Sequence, residues 1–169
     1  TIEVEGAFAL GIDSTITGPG MLTKAGTGAL TLGGDNTYSG SILVNEGRLF
    51  INGNQGSATG DIIVADTAIL GGTGTIGGDT TILSGGTVTG GSDGGIGTLA
   101  FSQDLTLASG STWLVDLIND STTADQLIVS GNLSLGGSLS IAESGAFVDG
   151  SIYTIATYGS LSGNGFAND

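Results

Sequence analysis

The chain has 169 residues, of which 34 are glycine and one is proline; 38% are apolar and only 11% charged. It contains no histidine and no cysteine, and its two cations, Lys24 and Arg48, face sixteen carboxylates for a net charge of −14. This composition excludes Ser-His-Asp and Cys-His catalysis, zinc held by thiolate or imidazole, and any surface that neutralises a row of phosphates.

Without disulfides, stability must come from packing and backbone pairing. A cysteine-free chain also cannot mispair in an oxidising space such as the periplasm. The acidity disfavours anionic membrane surfaces, and neither a long unbroken apolar run nor a signal-peptide pattern is present. The sequence opens mid-pattern at Thr1-Ile2-Glu3-Val4, as expected of a piece of a larger protein.

Helix signals are nearly absent. Thr, Val, Ile and Gly dominate, and the apolar residues follow a period of two rather than 3.6. In chain order the predicted strands are 30–32, 42–44, 49–51, 62–64, 68–70, 81–83, 87–89, 99–101 and 105–107. A longer one over 111–118 holds the single tryptophan. Three closely spaced strands follow at 126–129, 132–135 and 138–141, and the last is 151–156, after which 160–169 decays into Gly, Asn and Ser. Gly, Asn, Asp and Ser fill the gaps, as turns with positive φ require.

The spacing carries the fold. Leu30, Leu49, Ile69 and Val88 recur with a steady period, as do Ile42, Ile62 and Ile82. A repeat of roughly 20 residues with two or three short strands is the mark of a solenoid, in which each coil hides its apolar face only by stacking on the next. The expected fold is an all-β, right-handed parallel β-helix of seven or eight coils. The pattern changes near residue 100, and solenoid ends are atypical. The expected division is therefore 1–100 as β-helix coils and 101–169 as a β-rich C-terminal cap.

Residues Gly20 to Leu49 read G-M-L-T-K-A-G-T-G-A-L-T-L-G-G-D-N-T-Y-S-G-S-I-L-V-N-E-G-R-L. This stretch closely resembles the repeat of bacterial autotransporter passenger domains, with its LTK-x-G-x-G-x-LTL and NTYSG cores. Downstream, Gly71–Gly77, Gly85-Gly-Thr-Val88, Gly110-Ser-Thr-Trp113 and Asp125-x-Leu-x-Val-x-Gly-x-Leu133 resemble the end of such a passenger, the autochaperone region. Two positions depart from the family: Ile42 replaces a frequent Thr, and Thr89-Gly-Gly91 stands where relatives show Pro-Gly. The resemblance implies a β-helical stalk on the surface of a Gram-negative cell, reached through the periplasm and outer membrane. Its C-terminal segment would nucleate the folding of upstream passenger coils, and a translocator barrel would follow downstream. It also implies, as alternatives, an adhesive or self-associating surface with a host or second-copy partner, and more remotely a carbohydrate-active β-helix.

Several motifs invite sharper readings. Gly72-Thr-Gly-Thr-Ile-Gly77 fits G-x-G-x-x-G, but the β-branched continuation is that of a strand, whereas a dinucleotide site needs a helix there. Gly-rich calcium repeats need an Asp where Ile76 and Leu99 stand. The pairs Glu3/Glu5 and Asp116/Asp120 read as solvated charge rather than a hydrolytic pair. Trp113, Tyr38, Tyr153 and Tyr158 share no period, so Trp113 is expected in the core and not on a sugar-stacking platform. The sequons at Asn119 and Asn132 mean little in a bacterial chain. No catalytic, cofactor-binding or metal-ligating residue is assigned; the expected protein is not an enzyme, binds no nucleic acid and does not itself span a membrane.

Overall fold

A computed structural model describes residues 1–92, 94–118, 123–145 and 150–167. These residues contain strands and no helix. In chain order the strands are β1 (Ile2–Glu3), β2 (Ala9–Ile12), β3 (Leu22–Ala25), β4 (Ala29–Leu32), β5 (Ile42–Val44), β6 (Arg48–Ile51), β7 (Asn54–Gln55), β8 (Ile62–Val64) and β9 (Ile69–Gly71). They continue as β10 (Thr75–Ile76), β11 (Thr80–Ile82), β12 (Thr87–Thr89), β13 (Thr98–Phe101), β14 (Leu105–Leu107), β15 (Thr112–Ile118), β16 (Gln126–Leu135), β17 (Ser138–Ser144) and β18 (Ala156–Gly163).

All pairings between these strands are parallel, and each joins one coil to the next. The first face stacks β1, β3, β5, β8, β11, β14 and the C-terminal half of β16. The second face stacks β2, β4, β6, β9, β12, β15 and β17. The third face begins later, with β7, β10, β13 and the N-terminal half of β16. The chain is thus a three-faced parallel β-solenoid, whose levels lie about 4.8 Å apart.

The core is a set of inward ladders. On the second face Leu30, Leu49, Leu70, Val88 and Trp113 stack in register and are all buried. On the first face Ile42 and Ile62 continue into Thr80, Leu105 and Leu133, beside a second column of Val44, Val64, Ile82 and Leu107. Stacking like on like lets β-branched and leucine side chains nest with little loss of rotamer freedom, which is why Val, Ile and Leu recur at these positions.

The predicted register needs two corrections. Ile69 pairs with Arg48 and Thr87, so it faces outward, and Leu70 is the inward partner of Leu49 and Val88. Ile82 stacks on Val64, while Ile62 meets Thr80, because that coil is shorter than the one before it. The coils then lengthen between Thr80 and Leu105, and again between Leu105 and Leu133. Residues are gained and lost at corners, where a change in length does not disturb the inward parity of the strands.

The C-terminal third differs from expectation in detail. The strands expected at 126–129 and 132–135 are one continuous element, β16, which turns from the third face onto the first with a register shift between Val129 and Asn132. Residues 151–155 form no strand; the last strand is β18, reaching into the segment expected to be irregular. The strands β13 to β18 continue the parallel stacking.

Close approach at the corners explains much of the glycine. A Cβ on Gly60 would fall on the carbonyl oxygen of Gly40, and one on Gly40 on that of Gly20. Only glycine lets backbone stack on backbone at that corner. Between the first and second faces successive corners use a left-handed residue, Gly47 (φ 70°), Thr67 (φ 63°) and Gly85 (φ 79°), of which Thr67 alone bears a side chain.

Candidate functional site

No catalytic constellation emerges from the stacking. Among the described residues there is no group of three or more carboxylates placed to hold a metal ion. Gly72–Gly77 folds as a corner followed by β10, which is paired along both edges with β7 and β13. Asp116 lies half-buried on β15, and its expected neighbour Asp120, like Asn119, falls outside the described residues. Asn132 accepts a hydrogen bond from the Ser160 hydroxyl (3.0 Å) and donates one to Ser162 (2.8 Å), so its side chain is part of the stack.

The aromatics do not form a platform. Trp113 is buried, with its ring centroid 5.9 Å from that of Phe166. Tyr38 is also buried and donates its hydroxyl proton to the Gln55 carbonyl oxygen. Burial pushes the Tyr38 phenol up to about 12. Tyr153 bonds the Ile118 carbonyl (3.2 Å), and Tyr158 stays exposed near the C-terminal edge.

Two charged groups lie inside. Lys24 is 0% exposed and occupies an interior column between Ile2 and Val44. Its ammonium donates to the carbonyls of Ala25 (2.7 Å), Gly26 (2.6 Å) and Glu46 (3.2 Å), which tie the corner of its own coil to that of the next. Desolvation holds its pKa below the usual 10.5, opposed by the negative charges of Glu46 and Glu5. Asp125 is equally buried. Its carboxylate accepts from the Thr89 hydroxyl (2.9 Å) and from the backbone N–H groups of Gly97 (2.8 Å) and Asp116 (3.1 Å), tying β12 and β15 to the residue that precedes β13. The position of Lys24 two residues after Leu22, on a strand of period two, was the available signal that it points inward.

The strands at both ends of the stack are paired on one side. At the N-terminal end β1 and β2 are each paired along one edge only, and Phe8 (77%) and Leu10 (42%) are exposed there. At the other end β17 and β18 are likewise paired on one side, with Ile141, Tyr158 and Leu161 half exposed. Such edges accept a further coil by backbone hydrogen bonding and side-chain stacking.

The passenger-associated-transport-repeat family matches residues 22–49. That stretch holds Lys24 with its carbonyl clamp, the inward pair Leu30 and Leu32, the buried Asn36 and Tyr38, and the close-packed Gly40. The chain is 43% identical over 168 residues to the adhesin BmaC autotransporter of Brucella suis biovar 1 (strain 1330), a match covering 89% of this chain and 5% of that protein. It is 34% identical over 127 and 131 residues to two extracellular serine proteases of Serratia marcescens, each match covering 75% of this chain and 12% of the protease. The chain therefore spans a small fraction of the length of these relatives.

Proposed function

We propose that this chain, a segment of autotransporter passenger, is a non-enzymatic folding and stabilising module. Its C-terminal coils, 101–169, nucleate the β-helix while the passenger emerges on the outside of a Gram-negative cell. Its partners in that role are further passenger coils upstream and a translocator barrel downstream. The observation that supports this reading is one parallel stack from β1 to β18 whose single tryptophan, Trp113, is buried in the C-terminal coils and packed against Phe166. Folding from that end adds each coil to a formed template and avoids closing long loops.

The test is surface display of the parent protein. Deleting 101–169 should leave the passenger protease-sensitive at the cell surface while the barrel still inserts, and supplying 101–169 as a separate chain should partly restore protection. Wild-type display and protease resistance after the deletion would make the segment a mere connector.

A second reading, an adhesive surface, draws on the 43% identity to a protein named an adhesin. Loss of cell attachment with unchanged protease resistance, on altering exposed residues of this chain, distinguishes it from the folding role.

A further inference from the structure

The outward surface of the first face bears an apolar stripe. Leu43 and Ile63 occupy adjacent levels of its central column, between Thr23 and Thr81. Met21 and Leu83 flank them diagonally, aligned by the bonds Leu22 N–H to Ser41 and Leu83 N–H to Val64. Met21 is 67% exposed, Leu83 41% and Ile63 39%, with Leu43 half-buried. A contiguous exposed apolar patch on a chain this acidic marks an interaction surface.

The rim has a single sign. Along one edge stand the exposed Asp61, Asp79 and Asp104, in line because Ile62 and Thr80 donate to the carbonyls of Asp79 and Asp104. Two of these carboxylates are held in place by the backbone: Asp79 accepts from Asp104 N–H (3.1 Å) and Asp104 from Asn132 N–H (2.7 Å). On the opposite edge lie Asp66 and Glu46. Among the described residues neither cation stands on the edge of Asp61, Asp79 and Asp104: Lys24 is buried beside Glu46, and Arg48 lies on the second face.

We propose that this stripe docks a basic, amphipathic protein segment, placing apolar side chains on Leu43, Ile63 and Leu83 and lysines or arginines on Asp61, Asp79 and Asp104. Rim charge of one sign steers a partner of the other and rejects its own kind. A second copy is a poor occupant, because it would bring a net charge of −14 and only two cationic side chains, of which Lys24 is buried. The inference goes beyond the folding role and does not depend on it, since binding is read on the folded chain.

The experiment measures fluorescence anisotropy of two labelled peptides of equal charge, one alternating lysine with leucine and one alternating lysine with serine, titrated with the chain. The lysine–leucine peptide should bind about tenfold tighter or more, a difference of the size expected when apolar side chains find a matching surface. The combined variant Leu43→Thr, Ile63→Thr, Leu83→Thr should abolish that preference; threonine already fills this column at Thr23, Thr81 and Thr106. A second variant, Asp61→Asn, Asp79→Asn, Asp104→Asn, keeps the side-chain acceptors and should weaken both peptides while flattening their salt dependence. Circular dichroism verifies that each variant is folded. Equal affinity of the two peptides, a preference that survives the threonine variant, or salt dependence unchanged in the asparagine variant would each overturn the proposal. So would sedimentation showing self-association that the threonine variant removes, because the occupant would then be a second copy.

Discussion

Replacing Trp113 by alanine tests the packing on which the C-terminal coils depend. The side chain is 2% exposed, stacks between Val88 and Leu139 on the second face and touches Phe166 from the end of the chain. Truncating a buried tryptophan costs about 3–5 kcal/mol in transfer and cavity terms. A protein of this size is stable by roughly 0.05–0.15 kcal/mol per residue, so the loss is a substantial fraction of the whole. Phenylalanine is the informative control. The indole Nε1 is buried and has no hydrogen-bond partner among the described residues, so Trp113→Phe gives up some area but removes an unsatisfied donor. These effects are of similar size, and the net change should stay within about 1 kcal/mol. Urea unfolding followed by far-UV circular dichroism reads both values, and the double variant with Phe166→Ala should show a coupling of about 0.5–1.5 kcal/mol. If alanine costs less than about 1 kcal/mol, Trp113 is not a core residue and the reasoning fails.

Five further outcomes follow from particular contacts. Thr67→Gly should stabilise by about 0.5–1 kcal/mol, since relief of a left-handed conformation outweighs the added freedom of the unfolded chain; thermal melting checks it. Gly60→Ala should destabilise by about 3 kcal/mol or more, because its Cβ collides with the Gly40 carbonyl in the adjoining coil, and urea midpoints will show whether it does. Asp125→Asn should cost about 1.5–3 kcal/mol by turning an amide N–H toward a backbone donor, again read by urea unfolding. Alkaline titration separates two groups. Tyr38 stays protonated in the folded chain to about 12 while the unfolded phenol ionises near 10, so its share of stability, on the order of 2–3 kcal/mol, is lost as pH rises between those values, a loss that Tyr38→Phe does not show. Lys24 acts in the opposite sense: its folded pKa lies below 10.5, so stability rises with pH just beneath that value and Lys24→Met removes the rise.

What the sequence revealed was whatever depends on parity. The inward sets Ile42/Val44 and Ile62/Val64 alternate with outward residues whatever the corner lengths, so the parallel stack and the facing of those strands were legible, whereas at Ile69 the period pointed to the wrong face. Register was not, because corners absorb insertions silently. One shortened coil moved Ile82 from the column of Ile62 to that of Val64. Gly131 looked like a break between two strands, yet it sits at a corner through which β16 continues. The buried Lys24 and Asp125 were hidden for another reason. A lone charge is usually solvated, and although its place two residues after Leu22 points Lys24 inward, only the backbone groups around each charge, carbonyls for the ammonium and N–H groups for the carboxylate, make its burial tolerable. For Asp125 those groups include Thr89 and Gly97, far away in sequence, and for Lys24 one of them, the Glu46 carbonyl, comes from the next coil.

The central claim is a direction of folding, from the C-terminal coils toward the N-terminal edge. Pulse-labelling hydrogen exchange during refolding measures it directly. Backbone N–H groups of β13 to β18 should be protected first, followed by β8 to β12, with β1 to β4 last. Simultaneous protection of all coils, or protection that begins in β1 to β4, would contradict the account.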